Sequence, residues 1–299
     1  YPDSSEPGID NNAYTNLMTA WIMVRTLEML EKLPRQRRQS VLESLSVQQE
    51  EIDFWDKLSR KLHVPFHDDG IISQFENYDK LEEFDWEGYR KKYENIQRLD
   101  RILEAEGDSP NRYQVSKQAD VLMLFYLLSS KELQSLFERL EYPFTEKTIE
   151  NNLNYYLERT SHGSTLSRVV HAWVLSRSKR EMSWDLFRDA LESDIEDIQG
   201  GTTLEGIHLG AMAGTVDLIL RCYTGIESRG DVLWFNPYLP SELLCLEFSI
   251  MYRWSWIDVK VTADRLELRS RGDTDVSIKV GFRDETCLLA PGEKREFDI

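Results

Sequence analysis

The feature that most constrains this chain is a change of hydrophobic period between Gly225 and Pro240. Before it, apolar residues recur at helical spacing. After it, they alternate in short runs broken by turn residues. A run of helices followed by a segregated block of strands calls for two separately packed layers rather than one mixed sheet. The predicted domains are therefore 1-230, helical, and 231-299, a small antiparallel sheet or β-sandwich.

In the helical part, Asp10 to about Leu33 reads as a helix opened by Asp10, Asn11 or Asn12 and closed by Pro34. Trp21-Ile22-Met23-Val24 makes it apolar nearly all round, which predicts burial on most sides. A second helix is predicted from about Gln36 to Arg60, with an apolar stripe through Leu42, Leu45, Ile52, Trp55 and Leu58. Further helices are expected over 115–128, 130–140, 146–159, 166–177, 184–195 and 207–223. The strands expected are 232–235, 245–250, 257–261, 266–268, 276–280 and 286–289.

Charge narrows the partners. The 36 Lys and Arg against 53 Asp and Glu give a formal charge of -17, which repels phosphate backbones and anionic lipid. No nucleic-acid and no membrane partner is expected. The N-terminus has neither the basic flank nor the apolar stretch of a signal peptide, so a cytoplasmic protein is expected. Cys222, Cys245 and Cys287 lack CxxC spacing and suggest neither a disulfide framework nor a metal site.

Chemistry is sought where polar, Gly-rich loops enter apolar helices. Asp10 to Asn16 gathers three asparagines and a tyrosine at a helix entrance, which capping alone could explain. Lys117-Gln118-Ala119-Asp120 sets a cation, an amide and a carboxylate before an apolar helix, either to donate to sugar hydroxyls or phosphate or as a solvated first turn. His162-Gly163-Ser164-Thr165-Leu166-Ser167 puts hydroxyls and an imidazole at a helix start, where free N–H groups favour an anion; a plain Ser/Thr cap is the alternative. Gly200 to Gly210 repeats that pattern with Thr202, Thr203, Glu205 and His208. Paired carboxylates cannot be picked out by spacing among so many acids.

These segments together resemble glycoside hydrolase family 65, the family of maltose, trehalose, kojibiose and nigerose phosphorylases. The resemblance is carried by Asp10 to Asn16, Pro65 to Phe75, Lys117 to Asp120, His162 to Ser167, Gly201 to Gly210 and Leu233 to Pro237, in the family's order. It implies a mainly α fold with a C-terminal β domain: the later helices of an (α/α)6 barrel, then the sandwich. As an isolated piece, such a chain is expected to expose inner barrel surface and to be inactive.

The resemblance also implies inverting phosphorolysis of an α-linked glucose disaccharide, of trehalose or maltose type, to β-glucose 1-phosphate and glucose. Phosphate is the co-substrate and no other cofactor is implied. Phosphate binding carries over to Ser164, Thr165, Thr202, Thr203 and His208, and substrate binding to Lys117, Gln118 and Glu205. The general acid is a glutamate just before the Asn-Asn-Ala-Tyr-Thr-Asn segment, where this chain has Pro2-Asp3-Ser4. The preferred explanation is that residues 1–9 are an inserted stretch and the acid is expected upstream of Tyr1. If Ser4 truly replaces it, a non-catalytic carbohydrate-binding protein is the alternative; a family hydrolase is the other. The family suggests a homodimer.

Overall fold

The computed structural model describes residues 8–68, 70–176, 178–198, 201 and 203–299, with Glu205 by its backbone alone. The chain divides into two compact units, Tyr1–Val170 and His171–Ile299.

The first unit is helical: α1 Ala13–Lys32, α2 Arg35–Ser44, α3 Gln49–Leu58, α4 Trp86–Lys92, α5 Leu99–Ala105, α6 Asp120–Leu127, α7 Ser130–Arg139, α8 Glu146–Glu158 and the start of α9 Thr165–Leu175. A two-stranded ribbon, β1 Phe66–His67 and β2 Ile71–Ile72, lies between α3 and α4 in sequence. Asn12 caps α1, its side-chain oxygen accepting from Thr15 N–H at 2.8 Å. The caps of α7 and α8 are boxes of the same logic, Ser129 with Glu132 and Thr145 with Thr148.

Three expectations are corrected here. The single helix predicted over 36–60 is two, because Ser46 takes a left-handed backbone (φ 57°) and Gln48 starts afresh with its N–H donating to Glu51 at 3.0 Å. The helix predicted from Val115 begins at Asp120. Tyr113 and Ser116 instead pair as bridges with Glu82 and Thr160, so their backbone groups are already used. Finally, α1 buries Ala13, Leu17, Ala20 and Leu30 but leaves Ile22 56% and Met29 67% exposed in this chain. Its apolar circumference is thus not covered on most sides by the described residues.

The centre of this unit is α6, packed on α1, α7 and α8, with Val121, Leu122, Leu124 and Phe125 buried. The ribbon is stitched to α8. Asn152 accepts from Ile72 N–H at 2.8 Å and donates to the Gly70 carbonyl at 3.0 Å, while the buried Tyr156 hydroxyl donates to the Ile72 carbonyl. Sequence reading placed this ribbon only as a turn-rich loop.

The second unit contains α10 Arg180–Glu192 packed on α11 Leu209–Asp217, which widens into a π turn over Leu218–Tyr223. Strands follow: β3 Glu227–Arg229, β4 Val232–Phe235, β5 Cys245–Tyr252, β6 Ser255–Thr262, β7 Arg265–Ser270, β8 Ile278–Phe282, β9 Glu285–Leu289 and β10 Lys294–Asp298. They form two four-stranded sheets, ordered β10-β7-β6-β5 and β3-β4-β8-β9. One apolar cluster joins them, with Leu233 and Phe235 on β4, Ile257, Val259 and Val261 on β6, and Val280 on β8 all buried.

The expectation of a wholly antiparallel arrangement fails at one pair. β4 and β8 run parallel, Val232 opposite Lys279 through Phe235 opposite Phe282. Between them the chain builds β5, β6 and β7, the long crossover that a parallel pair needs. β3 and β10 escaped notice in the sequence because their polar residues carry little alternation. Two glycines fit only as glycine: a Cβ on Gly281 would lie 2.3 Å from the Trp234 ring, and Gly225 (φ +63°) packs against the Asn236 backbone.

Candidate functional site

In the first unit, three of the sequence-predicted segments meet around one hydrogen-bonded seam. Ser116 N–H donates to the Arg159 carbonyl at 2.8 Å, and Ser161 N–H returns to the Ser116 carbonyl at 2.9 Å. That pairing sets Lys117 beside the loop at 161–167. Gly163 marks how close the approach is: a Cβ there would sit 2.6 Å from the Gln97 carbonyl oxygen and 2.9 Å from Lys117 Cγ. A side chain at this position is excluded by backbone as well as by the lysine stem.

The Lys117 ammonium lies 3.7 Å from an Asp100 carboxylate oxygen, with about a third of each side chain exposed (36% and 35%). A pair this loose and wet leaves the lysine able to take another acceptor. Gln118 is half-buried and makes no hydrogen bond among the described residues.

The loop itself is built from inside. His162 has a left-handed backbone (φ 55°), its ring Nδ1 is 3.1 Å from Ser167 Oγ, and the buried Arg168 reaches its carbonyl at 3.4 Å. Ser167 N–H donates to the Ser164 carbonyl at 3.1 Å. Ser164 is half-buried and Thr165 buried, so of the two predicted hydroxyls Ser164 is the more accessible.

Behind Lys117, the Gln74 amide donates to Ser116 Oγ at 2.6 Å, and its oxygen faces Asp120 N–H at 3.4 Å. Burial pushes the Asp120 carboxyl above its ordinary value, and a hydrogen bond from the Asn12 side chain pulls partly against that. On the ribbon, His67 Nδ1 meets Ser73 Oγ at 2.6 Å, its Nε2 is buried without a partner among the described residues, and burial lowers its pKa.

In the second unit, the loop at 201–208 is organised by two carboxylates that sequence reading did not single out. Asp197 accepts from Gly201 N–H (2.8 and 2.7 Å to its two oxygens) and from Thr203 N–H at 3.2 Å. Asp194 accepts from His208 twice, from the backbone N–H at 2.9 Å and at ring Nδ1, 2.6 Å away. Burial pushes the Asp194 carboxyl up, but these two hydrogen bonds outweigh it and hold it below the ordinary carboxylate value.

Consequently the Gly201 and Thr203 N–H groups, expected to face an anion, already serve a carboxylate of the chain. The buried Thr203 hydroxyl, by contrast, has no partner among the described residues. His208 N-caps α11, and its side chain is 27% exposed. Thr202 lies outside the described residues, as do Asp69 and Ser4 with the rest of residues 1–7; Glu205 is placed by its backbone only. The run Ser193-Asp194-Ile195-Glu196-Asp197 just before Gly200-Gly201 is a usable signal in hindsight, masked in a chain with 53 acids.

Comparison with known proteins gives this geometry a setting. An uncharacterised glycosyl hydrolase of Mycobacterium tuberculosis is 51% identical over 296 residues, covering 99% of this chain and 22% of that protein. A trehalose 6-phosphate phosphorylase of Lactococcus lactis is 35% identical over 300 residues, covering 100% of this chain and 37% of the enzyme. The chain thus spans well under half the length of these relatives. A solved human-microbiome protein, provisionally described as a kojibiose phosphorylase, matches the whole chain and 37% of its own length with a TM-score of 0.73 at 21% identity, a likeness of fold. The model of the glycosyl hydrolase family 65 central catalytic domain matches residues 1–217 and that of the family's C-terminal domain residues 226–286. By these matches, with its mainly helical first part and C-terminal β part, the chain belongs to glycosyl hydrolase family 65.

Proposed function

We propose that the complete protein cleaves an α-glucosidic disaccharide of the trehalose type by phosphorolysis with inversion. A phosphate oxygen attacks the anomeric carbon, and the C1–O bond to the second sugar breaks. The leaving oxygen takes a proton from a glutamic acid expected upstream of Tyr1. The products are β-glucose 1-phosphate and the second sugar. In an inverting hydrolase a second carboxylate must activate water; phosphate is already a nucleophile and needs holding rather than a base.

The observation that carries this reading is the packing of Gly163 on Lys117, which fixes a cation beside the hydroxyl-bearing loop of Ser164 and Thr165. Such a neighbourhood suits a sugar hydroxyl and a phosphate oxygen in adjacent positions. Lys117 and Gln118 are the proposed sugar contacts, and Ser164, Thr165, Thr202, Thr203 and His208 the proposed phosphate contacts. Glu205 is proposed to touch the sugar or to support its loop. No cofactor beyond phosphate enters this scheme, and a cytoplasmic homodimer is its proposed setting. No described helix is long and apolar enough to cross a membrane.

The trehalose type is preferred because the Lactococcus lactis relative, a trehalose 6-phosphate phosphorylase, is 35% identical along the whole chain. Hydrolysis is the second reading, favoured by the name of the Mycobacterium tuberculosis relative. The test is a panel of trehalose, trehalose 6-phosphate, maltose, kojibiose and nigerose incubated with the complete polypeptide, with and without phosphate. Phosphate-dependent release of β-glucose 1-phosphate from a trehalose-type sugar supports the proposal. Free glucose at the same rate without phosphate supports hydrolysis.

A further inference from the structure

The geometry points to Asp194 as a positioning residue that decides which nitrogen of His208, and in which protonation state, is presented to phosphate. This rests on the phosphorolytic reading above and adds to it a residue outside the predicted site. Asp194 holds His208 at two points, Oδ2 to the backbone N–H (2.9 Å) and Oδ1 to ring Nδ1 (2.6 Å). A carboxylate can only accept, so the ring must carry its proton on Nδ1 whenever it is neutral. The nitrogen left to meet a ligand is Nε2. In the neutral ring Nε2 bears a lone pair and can accept only from a phosphate O–H; in the imidazolium it is an N–H donor to an ionised phosphate oxygen.

The surroundings leave this assignment to Asp194. Asp197, three residues on, is turned to the Gly201 and Thr203 N–H groups. The first turn of α11, which His208 caps, has no acidic residue. Glu192 closes the neighbouring α10, and Glu196 lies between the two aspartates in sequence; among the described residues neither is hydrogen-bonded to the imidazole. Among the described residues, then, Asp194 is the charged group in contact with the His208 ring.

The consequence is a pH dependence that one isosteric change should abolish. Asp194→Asn keeps both contacts, since the amide oxygen can accept the His208 backbone N–H while the NH2 donates to Nδ1. That reverses the tautomer: Nδ1 becomes the acceptor, and the neutral ring shows a permanent N–H at Nε2. In the wild type, affinity for phosphate through this residue falls when the ring loses its proton, because Nε2 then has no N–H to donate. In Asp194→Asn it stays level, because a donor faces the ligand at every pH. Asp194→Ala frees the ring and loses affinity without either pattern.

The experiment has two arms on the complete polypeptide. The first records KM for phosphate and kcat between about pH 5.5 and 8.5, the range in which an ordinary imidazole titrates, for wild type, Asp194→Asn and Asp194→Ala. Phosphate's own ionisation in solution is common to all three. Expected are a wild-type to Asp194→Asn ratio of KM that climbs with pH by about tenfold, the scale of one charge-assisted hydrogen bond, and little change in kcat. The second arm reads the 15N shifts of the His208 ring, with protonated Nδ1 in neutral wild type and protonated Nε2 in Asp194→Asn. Identical ring shifts in the two proteins, or a KM ratio flat with pH in a phosphate-dependent enzyme, overturn the role of Asp194. A protein that shows the tautomer exchange but no phosphate dependence keeps the positioning role of Asp194 and removes phosphate as its beneficiary.

Discussion

The loops at 161–167 and 201–208 read almost alike in sequence, each with a histidine, at least one glycine and hydroxyls at the start of a helix, yet they are held by different physics. The first is fixed by close packing: Gly163 is wedged between a backbone carbonyl and the Lys117 stem, with Ser167 and Arg168 buried beneath. The second is fixed by charge, with Asp197 and Asp194 gathering three backbone N–H groups and one imidazole. Similar composition at a helix entrance therefore does not imply similar responses. The packed loop should be intolerant of volume; the carboxylate-held loop should tolerate volume better and lose order in acid.

The largest expected effect tests the packed loop. Gly163→Ala must displace the Gln97 carbonyl or the loop itself. We expect kcat/KM of the complete enzyme to fall by about a hundredfold, the cost of misplacing reacting groups by roughly an ångström, and stability to fall by about 1–3 kcal/mol, as overpacking does. A variant with wild-type kinetics would show that the close approach is incidental. Next, Lys117→Met should lower kcat/KM for the disaccharide by roughly ten- to a hundredfold, the range for a hydrogen bond to a charged group. Its melting temperature should hardly move, because the exposed pair with Asp100 is worth about 1 kcal/mol at most. A large drop in melting with unchanged kinetics would make Lys117 structural.

On the other loop, Asp197→Ala should speed amide exchange at Gly201 and Thr203 and raise KM for phosphate several-fold, leaving exchange at Ser164 to Ser167 unchanged. Unaltered exchange at Gly201 would break the contrast.

The smallest effect is a pair of opposite pH signatures. The Asp194 carboxyl is lowered in the folded protein, so its stabilisation is complete above the unfolded value near 3.8 and is lost as pH falls through the lowered one. Asp120 is raised, so it exacts no penalty below that same unfolded value, and the penalty grows as pH rises through the raised one. Asp120→Asn should accordingly raise the melting temperature at neutral pH by a few degrees at most. Asp194→Asn should flatten the acid limb instead. Thermal melts from about pH 3 to 7, spanning the ordinary carboxylate range, would reveal either sign reversed.

Much of the architecture was legible because it is written in local signals. The cap at Asn12, the capping box at Ser129, and the alternation that buries Ile257, Val259 and Val261 on one face of β6 each act within a few residues. What was not legible depends on partners distant in sequence. Ser116 looks helical until Thr160 claims its backbone, and the parallel β4–β8 pair follows from where the chain returns after three intervening strands.

The candidate site divides the same way. Residue types at helix entrances pointed to Lys117, Ser164 and His208, while Asp194 and Asp197 differ from other acids of the chain only in what they touch. Gly163 was read only as part of a hydroxyl-bearing helix start, and its place there proves to be a matter of space.

The central claim is that phosphate, held by loops of this kind, is itself the nucleophile. The most direct measurement is proton NMR of the first sugar product formed from a trehalose-type substrate by the complete protein, recorded with phosphate and without it. The account predicts the β-anomer of glucose 1-phosphate, appearing only when phosphate is present. Free glucose formed at the same rate without phosphate would contradict it.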